Sequence, residues 1–199
     1  MDYKNIIFFL ISSLIALSGW GTVIYNHITS TPKIKGRVLN VMRGNMNDPS
    51  KPDQKMATFT TYAYLINVRK NTIHMLDYEM EIEIDGKWIR LKRVYGLQNI
   101  QHLSFLATDG TNIEINNFSN NLINRKNLPV EYGKPLHGWI VFAGDIELYN
   151  KEVSRYKITC IDAYNERHVF ESRPEEFVSI PLLQDMADIR NIPITAVNH

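Results

Sequence analysis

Residues 73–95 read IHMLDYEMEIEIDGKWIRLKRVY, and two patterns in them decide the local fold. Leu76, Tyr78, Met80, Ile82 and Ile84 alternate with Asp77, Glu79, Glu81 and Glu83. A period of two is the signature of a strand with one face buried and the other in water. Asp85-Gly86 then supplies a two-residue turn of the kind that favours positive φ, and Lys87 to Tyr95 runs back. In that register Ile82 faces Ile89 and Met80 faces Leu91 on the buried side. On the other side Glu81 faces Arg90 and Glu79 faces Lys92. An acidic stripe met by a basic one fixes register more than it adds stability. The stripe therefore reads as a solvated sheet face rather than a cation site.

Working outward, the same period recurs. Lys33 to Arg43 carries Ile34, Val38, Leu39 and Val41, and Ala57 to Val68 is rich in Thr, Tyr and Ile; both read as strands. Between them NMNDPSKPDQK has two prolines and no apolar face, and reads as a loop. His102 to Ala107, an Asp109-Gly110 turn and Asn112 to Ile115 suggest a further hairpin. NNFSNNLINRKNLP reads as a long loop with one helical turn. Leu136 to Ala143, LHGWIVFA, is apolar on both faces, as a central strand should be. Ser154 to Ile161, the turn Asp162 to Glu166 and Arg167 to Glu171 form a closing hairpin. A short helix is expected around Leu182 to Ile189. Seven or eight short strands, with no long soluble helix, predict an all-β antiparallel sandwich.

Ahead of these strands, Ile6 to Tyr25 is a run of twenty residues without a charge. At about 1.5 Å per helical residue it spans roughly 30 Å, enough to cross a bilayer once. Trp20 and Tyr25 fall at its end, where amphipathic rings favour the headgroup layer. A cleaved signal peptide with its site at Ala16-Leu17-Ser18 is the alternative, although apolar character continues past it. Lys33, Lys35, Arg37 and Arg43 outnumber Lys4 and the terminal amine, which favours a cytoplasmic domain. Folded domains translocate with little regard to such charges. The organisation expected is a membrane anchor over 1–25, a linker over 26–32, the sandwich over 33–175 and a C-terminal extension over 176–199.

Chemistry is sparse. With 22 basic and 21 acidic residues the net charge is +1, which excludes the basic footprint of a nucleic-acid binder. Cys160 is the one cysteine, so there is neither an internal disulfide nor a thiolate cluster. It shares the parity of Tyr156 and Ile158, which marks a buried structural thiol rather than a nucleophile. Six histidines are scattered, and His137 and His168 could meet only if their strands pair. Asp145, Glu147 and Glu152 read as a solvated loop. Asn117-Phe118-Ser119 matches a glycosylation acceptor, relevant only in a eukaryotic lumen. No phosphate loop, dinucleotide fingerprint or nucleophile elbow is present, and no catalytic residue, metal or cofactor is implied.

The pairing of LHGWIVF with the later YKITCIDAYNERHVF resembles the closing strands of immunoglobulin-like, telokin-like sandwich domains of bacterial envelope proteins of unknown function. Gly138, Trp139, Phe142 and Asp162 stand where those domains place a Gly-aromatic-apolar-Phe strand and a strand-ending Asp. The resemblance extends loosely over Lys35 to Glu171. It implies an immunoglobulin-like β-sandwich placed outside the cytoplasm, behind one N-terminal transmembrane helix. No lipobox cysteine is present, so lipid anchoring does not carry over, and no catalytic residue is transferred.

Aromatic residues outside the expected core are the remaining candidates. Trp88 lies on the charged side of the hairpin, and Tyr95 and Tyr132 lie near loop ends, all three placed to contact a partner. Packing of Trp88 under the neighbouring loop or the C-terminal tail is the alternative. The function expected is a non-enzymatic, membrane-tethered binding or assembly module, lodged in the lipid bilayer through residues 6–25 and meeting an envelope protein. A small metal-dependent enzyme or sensor, or a cytoplasm-facing interaction domain, are the alternatives.

Overall fold

The computed structural model describes residues 18–26, 33–48, 50–106, 112–123, 129–179, 183 and 189–192. Their strands, in chain order, are β1 (Ile34–Asp48), β2 (Lys51–Asn67), β3 (Met75–Ile84), β4 (Lys87–Arg93), β5 (Leu103–Leu106), β6 (Asn112–Ile115), β7 (Pro135–Asp145), β8 (Arg155–Asp162), β9 (Arg167–Ser172) and β10 (Ile189–Ile192). Seven form one sheet in the order β1-β2-β7-β4-β3-β8-β9, and three form a second, β10-β6-β5. Every pairing between strands is antiparallel, so the all-β reading holds.

The hairpin has the expected register, with Met80 opposite Leu91, Ile82 opposite Ile89 and Glu81 opposite Arg90. Asp85 and Gly86 both take positive φ, 50° and 75°. The register ends at Leu91, because β4 then leaves β3 and pairs with β7 through Lys92 and Arg93. Glu79 therefore does not meet Lys92; it holds Arg90 at 2.6 Å and Arg167 at 2.5 Å. Its neighbours take their partners from β8: Lys157 lies 2.5 Å from Glu81, and Arg155 lies 2.6 Å from Glu83.

By moving from β3 to β7, β4 makes the corner about which the large sheet curls. One core fills the inside of the curl, where Phe59, Leu65, Ile140 and Phe142 meet Met80, Ile82, Tyr156 and Ile158. A second lies between the outer face of β1, β2 and β7 and the small sheet, with Trp139, Tyr62 and Phe118 at its centre. This explains why LHGWIVFA is apolar on both faces: Ile140 and Phe142 face one core, and Trp139 and Val141 the other.

Two segments differ from expectation. The polar loop NMNDPSKPDQK is a ribbon, in which Asn45 to Asp48 pair with residues from Lys51 to Ala57 as an extension of β1 and β2. An exposed two-stranded ribbon needs no apolar face, so periodicity could not reveal it. Ile189, expected at the end of a helix, begins β10, which pairs with β6. Leu183 is helical and fully buried. The Asp109-Gly110 turn lies outside the described residues.

The anchor expected at 6–25 lies outside the described residues as far as 17. Residues 18–26 are helical, with Trp20, Val23, Ile24 and Tyr25 exposed. No helix among the described residues is long and apolar enough to cross a membrane.

Candidate binding cleft

Between the outer face of the large sheet and the small sheet runs a cleft of about 470 Å³. Its floor is β2 and β7. Along β2, Phe59, Ala63 and Leu65 point into the inner core, so Thr58 and Thr60 point the other way. Both threonines are buried, with 7% and 1% exposure, and they give the floor two hydroxyls beside Val141. The opposite wall is apolar, made of Leu97, Ile100, Leu103 and Phe105. Gly44 lets that wall approach: a Cβ there would sit 3.3 Å from the Phe105 ring.

Arg43 and Tyr149 also line the cleft. The Arg43 guanidinium donates to the Lys151 carbonyl at 2.5 Å and to the Tyr156 hydroxyl at 3.1 Å. It thereby ties the 3-10 turn Ile146–Asn150 to the mouth of the curled sheet. The volume falls in the range of small-ligand sites, which are mostly apolar with a few placed polar groups. No group of three metal-ligating side chains occurs among the described residues. The arrangement suits binding of an apolar body with one hydrogen-bonding group.

The aromatic residues singled out from sequence do not converge on one patch. Trp88 is half-buried on β4, opposite Glu83, with Lys157 Nζ 4.3 Å and Arg155 Cζ 5.2 Å from its ring centre. These are cation–π contacts within the sheet's own charged face. Arg155 grips Glu83 through two bonds of 2.6 and 2.7 Å, and Ser154 adds a third at 2.7 Å. The Arg155 bonds first, then that from Ser154, hold the Glu83 carboxyl down at about 2. Tyr95, 65% exposed, lies at the other end of β4, its ring under Arg93 and its hydroxyl 3.3 Å from Asp77. Arg93 also pairs with Asp77 and lies 5.2 Å from the Tyr78 ring. Tyr132 is exposed beside Asn67, at the end of β2.

β7 and β9 are separated by three strands, so His137 and His168 do not meet. His137 Nδ1 lies 2.6 Å from the Tyr62 hydroxyl, whose pKa burial raises. His168 Nε2 lies 3.0 Å from Asp162 Oδ2, both groups buried. Cys160 is fully buried beside Ile158 and Tyr156, and burial pushes its thiol well up. Sequence reading missed the cleft because its walls come from segments far apart in the chain. The one local trace is the outward pair Thr58 and Thr60, placed on either side of the inward Phe59.

No family model and no curated protein matches the chain. Among solved structures, a lipoprotein candidate, ycdA from Bacillus subtilis subsp. subtilis str. 168, aligns over 74% of this chain at 9% identity with a TM-score of 0.42. The chain spans 39% of the length of that protein.

Proposed function

We propose that this chain is a non-enzymatic binding module of the bacterial cell envelope, held at the membrane by residues 6–25 with its β domain outside the cytoplasm. The observation that carries the binding reading is the cleft, whose apolar wall faces two buried hydroxyls. Its ligand is an apolar group with one hydrogen-bonding function, free or presented by an envelope partner. Tethering rests on the uncharged run at 6–25, longer and more uniform than a soluble core helix requires. An immunoglobulin-like relationship is supported by the two halves of the curled sheet facing each other across one core.

The test compares full-length wild type with Ser104→Trp, which sets an indole at the exposed rim of the cleft. Both are purified side by side, and small molecules extracted from them are identified by mass spectrometry. A species enriched in wild type and missing from the variant supports the reading. Equal recovery from both refutes it, as does a turnover abolished by a single polar-to-Ala change.

A further inference from the structure

β1 and β9 are the two edges of the curled sheet, and inward side chains of β9 close the seam between them. The Ile34 amide donates to His168 Nδ1 at 3.3 Å, and the Val38 amide donates to Ser172 Oγ at 2.9 Å. Between them Phe170 lies over Gly36, where a Cβ would sit 2.7 Å from its ring. Alternate residues of β9 thus serve alternate residues of β1, in one register. At this seam side chains replace the carbonyls that a ladder would supply.

The proton on His168 can be assigned. Nδ1 accepts the Ile34 amide and so carries none; Nε2 holds the ring's single proton and donates to Asp162. Asp162 is fully buried, and its other oxygen accepts the amides of Tyr164 and Glu166, each at 2.9 Å.

We propose that His168 is a proton-operated latch on this seam. A second proton can go only to Nδ1, where it removes the acceptor for the Ile34 amide and sets two donors against each other. Histidine is the side chain that ordinarily gains this proton between about pH 5 and 8. Asp162 retains the imidazolium through a charge-assisted bond, so the start of β1 is released while the rest of the fold persists. The titratable and charged groups around the ring are Asp162 and Cys160 on β8, the latter its register partner, and Tyr78 beyond it on β3. Arg167 adjoins it on β9, and Lys33 and Lys35 flank Ile34. Of the described residues, Asp162 is the one within ion-pair distance of the ring. Ser172 does not titrate, so Val38 is a built-in control four residues away. The latch lies at the first residue of β1, so a proton acts where the sheet's edge strand begins.

Amide hydrogen exchange of the full chain in lipid nanodiscs, followed by NMR from about pH 7.5 to 5.5, tests this. After correction for intrinsic rates, Ile34 loses protection by roughly tenfold as pH falls, while Val38 keeps its own. The Nδ1 nitrogen shift of His168 moves over the same range. In His168→Gln, whose side chain accepts a hydrogen bond but does not titrate, the pH dependence at Ile34 disappears. The proposal is overturned if Ile34 and Val38 change together, if neither changes, or if Ile34 in the variant keeps the wild-type dependence. Should the variant fail to fold, the comparison of Ile34 with Val38 and the nitrogen shift decide within wild type.

Discussion

Gly138→Ala tests whether the two cores are built around β7 as described. A Cβ at Gly138 would lie 2.4 Å from the Asn121 carbonyl oxygen and 3.0 Å from the Ile123 nitrogen. Both are backbone atoms of a segment that crosses β7 there, held by the Ile123 amide donating to the Trp139 carbonyl at 3.1 Å. No rotamer change relieves such a clash, so the crossing segment must lift. Overpacking of this kind costs about 1–3 kcal/mol, and the lost hydrogen bond about 1 more. A total near 3 kcal/mol lowers the melting midpoint of a chain this size by roughly 6–12 °C. Gly86→Ala is the control. Gly86 has φ of 75° with nothing within 4 Å, so the alanine meets only left-handed strain of about 1–2 kcal/mol. Denaturant unfolding followed by circular dichroism ranks the two. A Gly138→Ala loss no larger than that of Gly86→Ala refutes the close crossing and the placement of the second core.

Glu83 gives an acid limb to stability. Its carboxyl is held at about 2 against an ordinary value of 4.5, so its contribution is complete above the higher value and is lost as pH falls toward the lower. Glu83→Gln should remove that limb, and unfolding curves collected across this window check it; parallel curves for variant and wild type contradict it. The Cys160 thiol, fully buried with its pKa pushed up, should react with a thiol reagent only as fast as the domain opens. Labelling that outpaces global hydrogen exchange contradicts this. Externally added protease should cut the β domain in intact cells, and complete protection would place it in the cytoplasm.

The strands that sequence predicts best are those with one wet face and a defined turn. Ile82 and Ile89 meet as expected because the alternation and Asp85-Gly86 independently demand the same register. Partners beyond the hairpin were not legible, since the order of strands in a sheet is set by long-range packing. Glu81 therefore holds Lys157 on β8, although Arg90 is its partner across the hairpin. The ribbon around Met46 and Met56 was hidden because polar, proline-bearing strands carry no period-two signal. The seam had a trace in the shared parity of His168, Phe170 and Ser172, but nothing in β1 announces which amides they serve. The cleft had less, because no short segment contains more than one of its walls.

The binding reading is tested most directly by methyl NMR of the full chain in nanodiscs, titrated with indole, an apolar ring bearing one donor. Saturable shifts should centre on Thr58, Thr60, Leu97 and Val141, and Ser104→Trp should abolish them. Shifts that never saturate, or that map instead to the charged face around Trp88, contradict the account.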